Sequence, residues 1–441
     1  MAENTGNGGG ISRRDFLKVA SAAAGAGLVV GGAGGYLAAP KGTTGGPAAE
    51  TGEPIRIGSA YPLTGYAAGD GEEMKRGSAM AIEEINASGG ILGRQLEQIV
   101  IDAEDMAPEK IISAFERLIK TEKVHAIING FILGTGPEYD LVSETPTIYM
   151  HANTYQPNAD MVRENPDKYW MTFHCDPTEI WYGIGFPKIM QQLIDGGLWV
   201  PYNNKVAVLT SDIPYSMNIA QLFQEEVVKI GWEVSLFEQV VLPTAEWGPI
   251  LSKIRQDPPG LVFQAHYAPA DLASFTKQFM EDPTPSLVYE QYGPSIPEFL
   301  DLAGDAANGI IWSTVIGPLA DSVGQEYRGR YRERWNADAG WSQNGIQYDL
   351  VKMYAEAVAL AGDPSDIRKV AGIIENGIYR GVCGGYSFIK EDHTVPSYPA
   401  KTLDPGLGLP HLHFQIQNKE HKLIGPNPYA QAEFQLPEWL T

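Results

Sequence analysis

From Pro54 onward, short runs of β-branched and aliphatic residues alternate with longer stretches whose apolar positions recur every three or four residues. Such alternation predicts parallel strands covered by helices. "IRIGSAYPL" (Ile55 to Leu63) is the first predicted strand, and it runs into the glycine-rich turn "TGYAAGDG". A helix is predicted from about Glu72 to Ser88, with Met74, Ser78, Ala81, Ile82 and Ile85 on one face. Gly89-Gly90 closes it, because glycine accepts the left-handed conformation that ends a helix. "QLEQIVIDAED" is the second strand, and Pro108 opens the next helix, where a missing N–H costs nothing. "HAIINGF" and "TIYMHAN" are two further strands, with a short helix starting near Thr135-Gly136-Pro137.

At "YWMTFHCDPTE" (Tyr169 to Glu179) the rhythm pauses, and a second series then begins with "KVAVLTSD", "WEVSLFEQVVL", "GLVFQAHY" and "SLVYEQY" as its strands. "NGIIWSTV" leads into a long helical region, Gly324 to Asn376, that must pack on a sheet already formed. "RGVCGGYSFIKEDH" is extended again, and "HLHFQIQNKEHKLIGP" is a single late strand. The fold class expected is α/β, with two doubly wound lobes.

Before this body lies a different kind of segment. Arg13-Arg14 and Phe16-Leu17-Lys18 precede an uncharged run, Val19 to Ala39, rich in Ala and Gly. A positive segment ahead of a weakly apolar one has the order of an export signal, and the arginine pair points to the twin-arginine route. Residues 1–40 are therefore expected to be a twin-arginine signal peptide and 41–53 a flexible linker. An uncleaved leader would instead tether the protein to the membrane.

Roughly 390 of the 441 residues remain, about enough for two domains. The formal charge of −22 repels phosphate and anionic head groups, so no nucleic acid is expected as a partner. The two cysteines, Cys175 and Cys383, lack CxxC spacing, so zinc or redox chemistry is not expected of them, and in an oxidising compartment they pair or stay as buried thiols. His411 and His413 alternate along one face of the late strand and, with His421 or His393, are the metal candidates; a solvated face is the plainer reading. "SDIPYS" has a serine and an acid but no G-x-S-x-G elbow, so hydrolase chemistry is not expected. The chain is read as a non-enzyme with no cofactor and no metal.

"IRIGSAYPLTG" followed by "GSAMAIEEINASGGILGRQLEQIVIDAEDMAPEK" resembles the opening of the type I periplasmic binding proteins that serve ABC importers of branched-chain amino acids, amides and relatives. The likeness continues, more weakly, over nearly all of Pro54 to Pro426. It implies two Rossmann-like lobes joined by three hinge strands, with ligand trapped as the lobes close. Carried over, lobe 1 is 54–173 plus 316–382 and lobe 2 is 174–315 plus 383–441, with crossings near Thr172 to Asp176, Ile310 to Val315 and Gly381 to Phe388. Cys175 and Cys383 then both fall on hinge strands, which favours a disulfide between them.

In doubly wound sheets ligands bind beyond the carboxyl ends of the strands. In the first lobe those loops are Phe131 to Gly136, with Ile132 and Leu133 where related amino-acid binders often present a serine, Ala152-Asn153-Thr154, and Tyr66 to Asp70. The resemblance implies that Ala152 and Thr154 offer backbone groups and a hydroxyl to the ligand head group; a helix cap is the plainer role for Thr154. From the second lobe, Tyr215 and Tyr267 match positions of aromatic cleft walls. Where amino-acid binders pair a carboxylate with the ligand ammonium, this chain has Tyr292, with Glu290 two residues earlier on the same strand face. The implied function is an extracytoplasmic, periplasmic receptor that delivers a small organic solute to an ABC permease. The solute is a branched-chain amino acid or, given these departures, an amide such as urea or an aromatic carboxylate. The implied partners are that ligand, the permease and the twin-arginine machinery; a periplasmic sensor is the competing class.

Overall fold

A computed structural model describes residues 52–132 and 136–441. The expected signal peptide, most of the linker and Leu133 lie outside the described residues. Strands β1 (Ile55–Tyr61), β2 (Leu96–Asp102), β3 (Ala126–Asn129), β4 (Ile148–His151) and β5 (Thr172–His174) form one parallel sheet in the order β2-β1-β3-β4-β5. The inner strands β3 and β4 are buried along their whole length because helices cover both faces of a parallel sheet. Helix α1 (Ala68–Ala87) starts one turn earlier than expected. It is followed by α2 (Pro108–Glu116), α3 (Pro137–Glu144) and α4 (Gln156–Glu164).

The second sheet holds β6 (Lys205–Ser211), β7 (Glu233–Val240), β8 (Leu261–Gln264), β9 (Leu287–Gln291) and β10 (Ile311–Thr314), parallel and ordered β7-β6-β8-β9-β10. This repeats the strand order of the first sheet. Helices α5 (Ile180–Asp195), α6 (Pro214–Lys229), α7 (Gly248–Gln256), α8 (Pro269–Met280) and α9 (Pro297–Ala303) belong to this half. The chain then returns, and α10 (Ser322–Trp335), α11 (Gln343–Ala361) and α12 (Ile367–Asn376) fill the long helical region. Helix α11 lies against α1, so closely that a Cβ added at Gly77 would stand 1.9 Å from the Asn344 carbonyl oxygen.

After two short pairings, β11 (Tyr379–Arg380) with β12 (Gly385–Tyr386) and β13 (Ser397–Tyr398) with β14 (Leu409–Pro410), the chain rejoins the second sheet. The expected single late strand is a hairpin, β15 (Leu412–Gln417) and β16 (Glu420–Gly425), with β15 antiparallel to β10. Asn418 and Lys419 both adopt positive φ, at 54° and 61°, the geometry of a two-residue turn that follows sheet twist. The tail packs on this half: Gln415 Nε2 donates to the Gln435 carbonyl and Trp439 Nε1 to the Ser286 carbonyl.

The solvated face proposed for the histidines is overturned. His411 and His413 are buried, with His411 Nε2 2.8 Å from Ser313 Oγ and burial holding both rings neutral. His421 accepts from Trp312 Nε1, while His393 stacks on Phe173, so the candidates do not converge on one ion. The proposed disulfide is also absent. Cys175 and Cys383 are free, buried thiols, one beside the Phe173 carbonyl and the other beside that of Ile316. Burial pushes both thiols well above their ordinary pKa, which leaves them unreactive.

Overpacking a tight contact costs about 1–3 kcal/mol or more. Gly77→Ala is therefore expected to lower the urea midpoint clearly. Gly372→Ala on α12, which meets nothing within 4 Å, should be neutral or stabilising by about 0.5–1 kcal/mol.

Candidate functional site

Both sheets reverse their strand order between the first and third strand, β1/β3 in one half and β6/β8 in the other. Loops leaving the two strands of such a switch point part company and open a crevice. A cavity of about 480 Å³ lies there, lined from the first half by Phe131, Ile132, Asn153, Thr154 and Tyr155 and from the second by Ile213, Pro214, Tyr215, Tyr267 and Tyr292. Tyr182, Ile316 and Gln343 complete the wall near the passages between the halves.

Helix starts dominate the lining. Pro108, Pro137 and Pro214 occupy the first positions of α2, α3 and α6, Tyr155 is the residue before α4, and Gln343 begins α11. Five positive helix ends thus border the cavity, and no lining residue among those described is charged. Asn153 adds a buried amide nitrogen, Nδ2, that has no hydrogen-bond partner.

The expected residues fare differently. Phe131, Ile132, Asn153, Thr154, Tyr215, Tyr267 and Tyr292 all line the cavity. Tyr66 sits one layer back, its hydroxyl 3.2 Å from that of Tyr267, and Asp70 accepts from the Tyr292 hydroxyl at 2.6 Å. Thr154 is no helix cap; Tyr155 holds that place, with no side-chain bond. Ala152 is not among the lining residues; its N–H donates to the Asn129 carbonyl and its carbonyl accepts from Gln343 Nε2.

Glu290 departs most from expectation. It is fully buried beneath α8, accepts from Thr276 Oγ1 at 2.6 Å, and burial pushes its carboxyl up to about 8. Tyr292 leaves the strand with a φ of 56°, which breaks the alternation that was to place both on one face. A neutral acid under α8 cannot pair with a ligand cation. Asp70 is pushed up to about 7 by burial, opposed by the Tyr292 bond and reinforced by Glu73 and Glu298. Glu179, also about 7 through burial, accepts from the Gln156 N–H at the start of α4 and from Asn218, bracing the wall from behind.

Tyr155, Tyr182, Ile213, Pro214, Ile316 and Gln343 were not foreseen. The prolines carried a signal, as helix openers after predicted strands. Gln343 carried none, because it is brought in from 191 residues along the chain from Ala152.

Comparison with known proteins agrees with this architecture. The profile of the family described as periplasmic binding protein matches residues 54–399. A crystal structure from Silicibacter pomeroyi, provisionally named a branched-chain amino acid ABC transporter, is 40% identical, covers 88% of this chain and 100% of its own, and has a TM-score of 0.80. Leu/Ile/Val-binding protein homolog 2 of Brucella abortus is 24% identical over 78% of this chain and 89% of its own. A solute-binding protein of R. palustris, solved with benzoate, shares the fold at 16% identity, 87% and 99% coverage and a TM-score of 0.68. The chain belongs to the periplasmic binding protein family and is a solute-binding protein of the ABC-transporter kind. Among the described residues no helix is long and apolar enough to cross a membrane.

The buried carboxyls set a pH dependence. Asp70 and Glu179 titrate near 7 and Glu290 near 8 in the folded chain, against 3.8 to 4.5 ordinarily. Raised acids hold protons that the unfolded chain releases, so their contribution is complete below about pH 4 and is lost as pH climbs through the folded values. Urea midpoints are expected to fall between about pH 4.5 and 8, and Glu290→Gln should flatten that decline, measured by tryptophan fluorescence.

Proposed function

We propose that this protein captures a small organic carboxylate without an ammonium group in the cleft between two lobes and delivers it to an ABC permease. The observation that carries this reading is the lining itself: five helix N-termini, an unpartnered Asn153 amide, an aromatic wall and, among the described residues, no acidic side chain. Helix ends and a free amide suit a carboxylate; Phe131, Tyr215 and Tyr267 suit a flat or branched apolar body.

A second reading, a branched-chain amino acid, is favoured by Asp70. Displacing the Tyr292 hydroxyl would bring an ammonium to that carboxylate. The name of the Brucella relative points the same way, while the benzoate in the R. palustris protein fits the first reading. Lobe 1 as 54–173 plus 316–382 and lobe 2 as 174–315 plus 383–441 would close about the three crossings, and the arginine pair would send the chain across the cytoplasmic membrane by the twin-arginine route.

The decisive measurement is thermal unfolding of the mature chain, stripped of carried-over ligand by unfolding and refolding, with benzoate, phenylacetate, isovalerate, leucine, valine, acetamide or urea. A ligand at about a thousand times its Kd stabilises by roughly 4 kcal/mol, a shift of several degrees. The expected result is a shift with one of the carboxylates and none with leucine or valine, and a Tyr215→Ala protein that needs about tenfold more ligand or worse. A shift with leucine alone would overturn the first reading in favour of the second, and one with urea or acetamide alone would overturn both.

A further inference from the structure

His151, His174 and Asp176 converge at the ends of β4 and β5, each offering a ligand atom within 4.8 Å of the others. The sequence argues for the convergence. Parallel pairing sets His151 beside His174, with rings 4.8 Å apart, and Asp176, two residues on, emerges toward the same face. All three are closed to solvent, at 0%, 1% and 0% exposure.

The arrangement is incomplete as it stands. Asp176 Oδ1 lies 3.0 Å from His174 Nε2, yet neither oxygen of Asp176 and neither nitrogen of His174 has an aligned hydrogen-bond partner. Among the described residues no lysine or arginine forms an ion pair with Asp176. A buried carboxylate without partners is costly, and such groups are normally paired or bound to a metal. Two imidazoles and a carboxylate form the donor set that suits zinc and its neighbours, with a fourth position left for water or a hydroxyl.

We propose that His151, His174 and Asp176 hold a divalent transition metal ion of the zinc class. His151 is already gripped from two sides, its Nδ1 accepting the Asn153 N–H at 3.2 Å and its Nε2 2.6 Å from the Tyr139 hydroxyl. The metal replaces one of these bonds, and the other remains as the outer hydrogen bond that orients a coordinating imidazole. Asp176 stands on the passage from the first sheet into α5, so the ion pins that passage to the β4–β5 edge. Through Asn153 it also borders the cavity wall. Since all three groups are sealed, the ion enters while the chain folds, and loading requires refolding.

The test uses the mature chain without a histidine tag, refolded with Zn2+ or with Co2+ alone and then desalted. Elemental analysis is expected to find one ion per chain, and the cobalt form to show the visible absorption bands of four-coordinate cobalt. His174→Ala and Asp176→Asn should each cut the bound metal by about tenfold or more. A wild-type chain that refolds to the same Tm with and without metal, retains none, and shows no cobalt bands would overturn the proposal. The cluster would then be a buried histidine–aspartate contact with no ion. Because the cobalt spectrum is read on the wild-type chain, failure of a variant to fold does not rescue the idea.

Discussion

A parallel sheet covered by helices on both faces can meet a ligand only at its strand ends, and the rest of this molecule follows from having two such sheets whose carboxyl ends open on one cavity. Each sheet follows the order 2-1-3-4-5 of its own strands, so each contributes one switch point. The βα connections there are short, which puts the first turn of the next helix at the cavity edge. That is why Pro137 and Pro214, prolines placed to open helices, are also wall residues. The helix ends there are backbone features, and among the described residues no lysine or arginine lines the cavity.

The same burial that builds the walls controls their charge. Asp70, Glu179 and Glu290 are acids with little water and few donors, and each is shifted toward its neutral form. The chain carries a formal −22, yet none of the described residues lining the cavity is charged. A net charge of that size opposes self-association and says nothing about the ligand.

Much of the fold was legible for a physical reason. Strands buried on both faces become unbroken apolar runs such as "KVAVLTSD" and "GLVFQAHY", and Gly89-Gly90 marks the end of α1 with φ of 101° and 74°. What failed depended on single backbone angles or distant neighbours. The β15–β16 turn uses Asn-Lys where Asn-Gly would have announced it. Tyr292 turns out of its strand at positive φ, so period-two reasoning misplaced Glu290. His411 and His413 look polar in sequence but are buried, and Ser313 and Tyr182 meet His411 from elements far away. For the site, the aromatic wall residues could be read from strand ends, whereas Gln343 and Ile316 arrive through tertiary folding alone.

The balance of effects inside the cavity separates the two ligand classes. A hydrogen bond to a charged group contributes about 1.5–3 kcal/mol, and a helix end about 0.3–1 kcal/mol, rising toward 2 where it is partly buried. Asn153 together with several of the five helix ends can thus offset the several kcal/mol lost when a carboxylate leaves water. An ammonium in the same space finds phenol oxygens and, behind Tyr292, an acid that titrates near 7. Binding it would require Asp70 to ionise and the Tyr292–Asp70 bond to open, and that bond joins the first half of the molecule to the second. An ammonium would therefore break one of the contacts between the halves, whereas a carboxylate at the helix ends would leave Tyr292–Asp70 and Tyr66–Tyr267 intact. Only differential affinity for the closed form can drive closure, so the proposed reading requires a ligand that leaves the Tyr292–Asp70 bond intact.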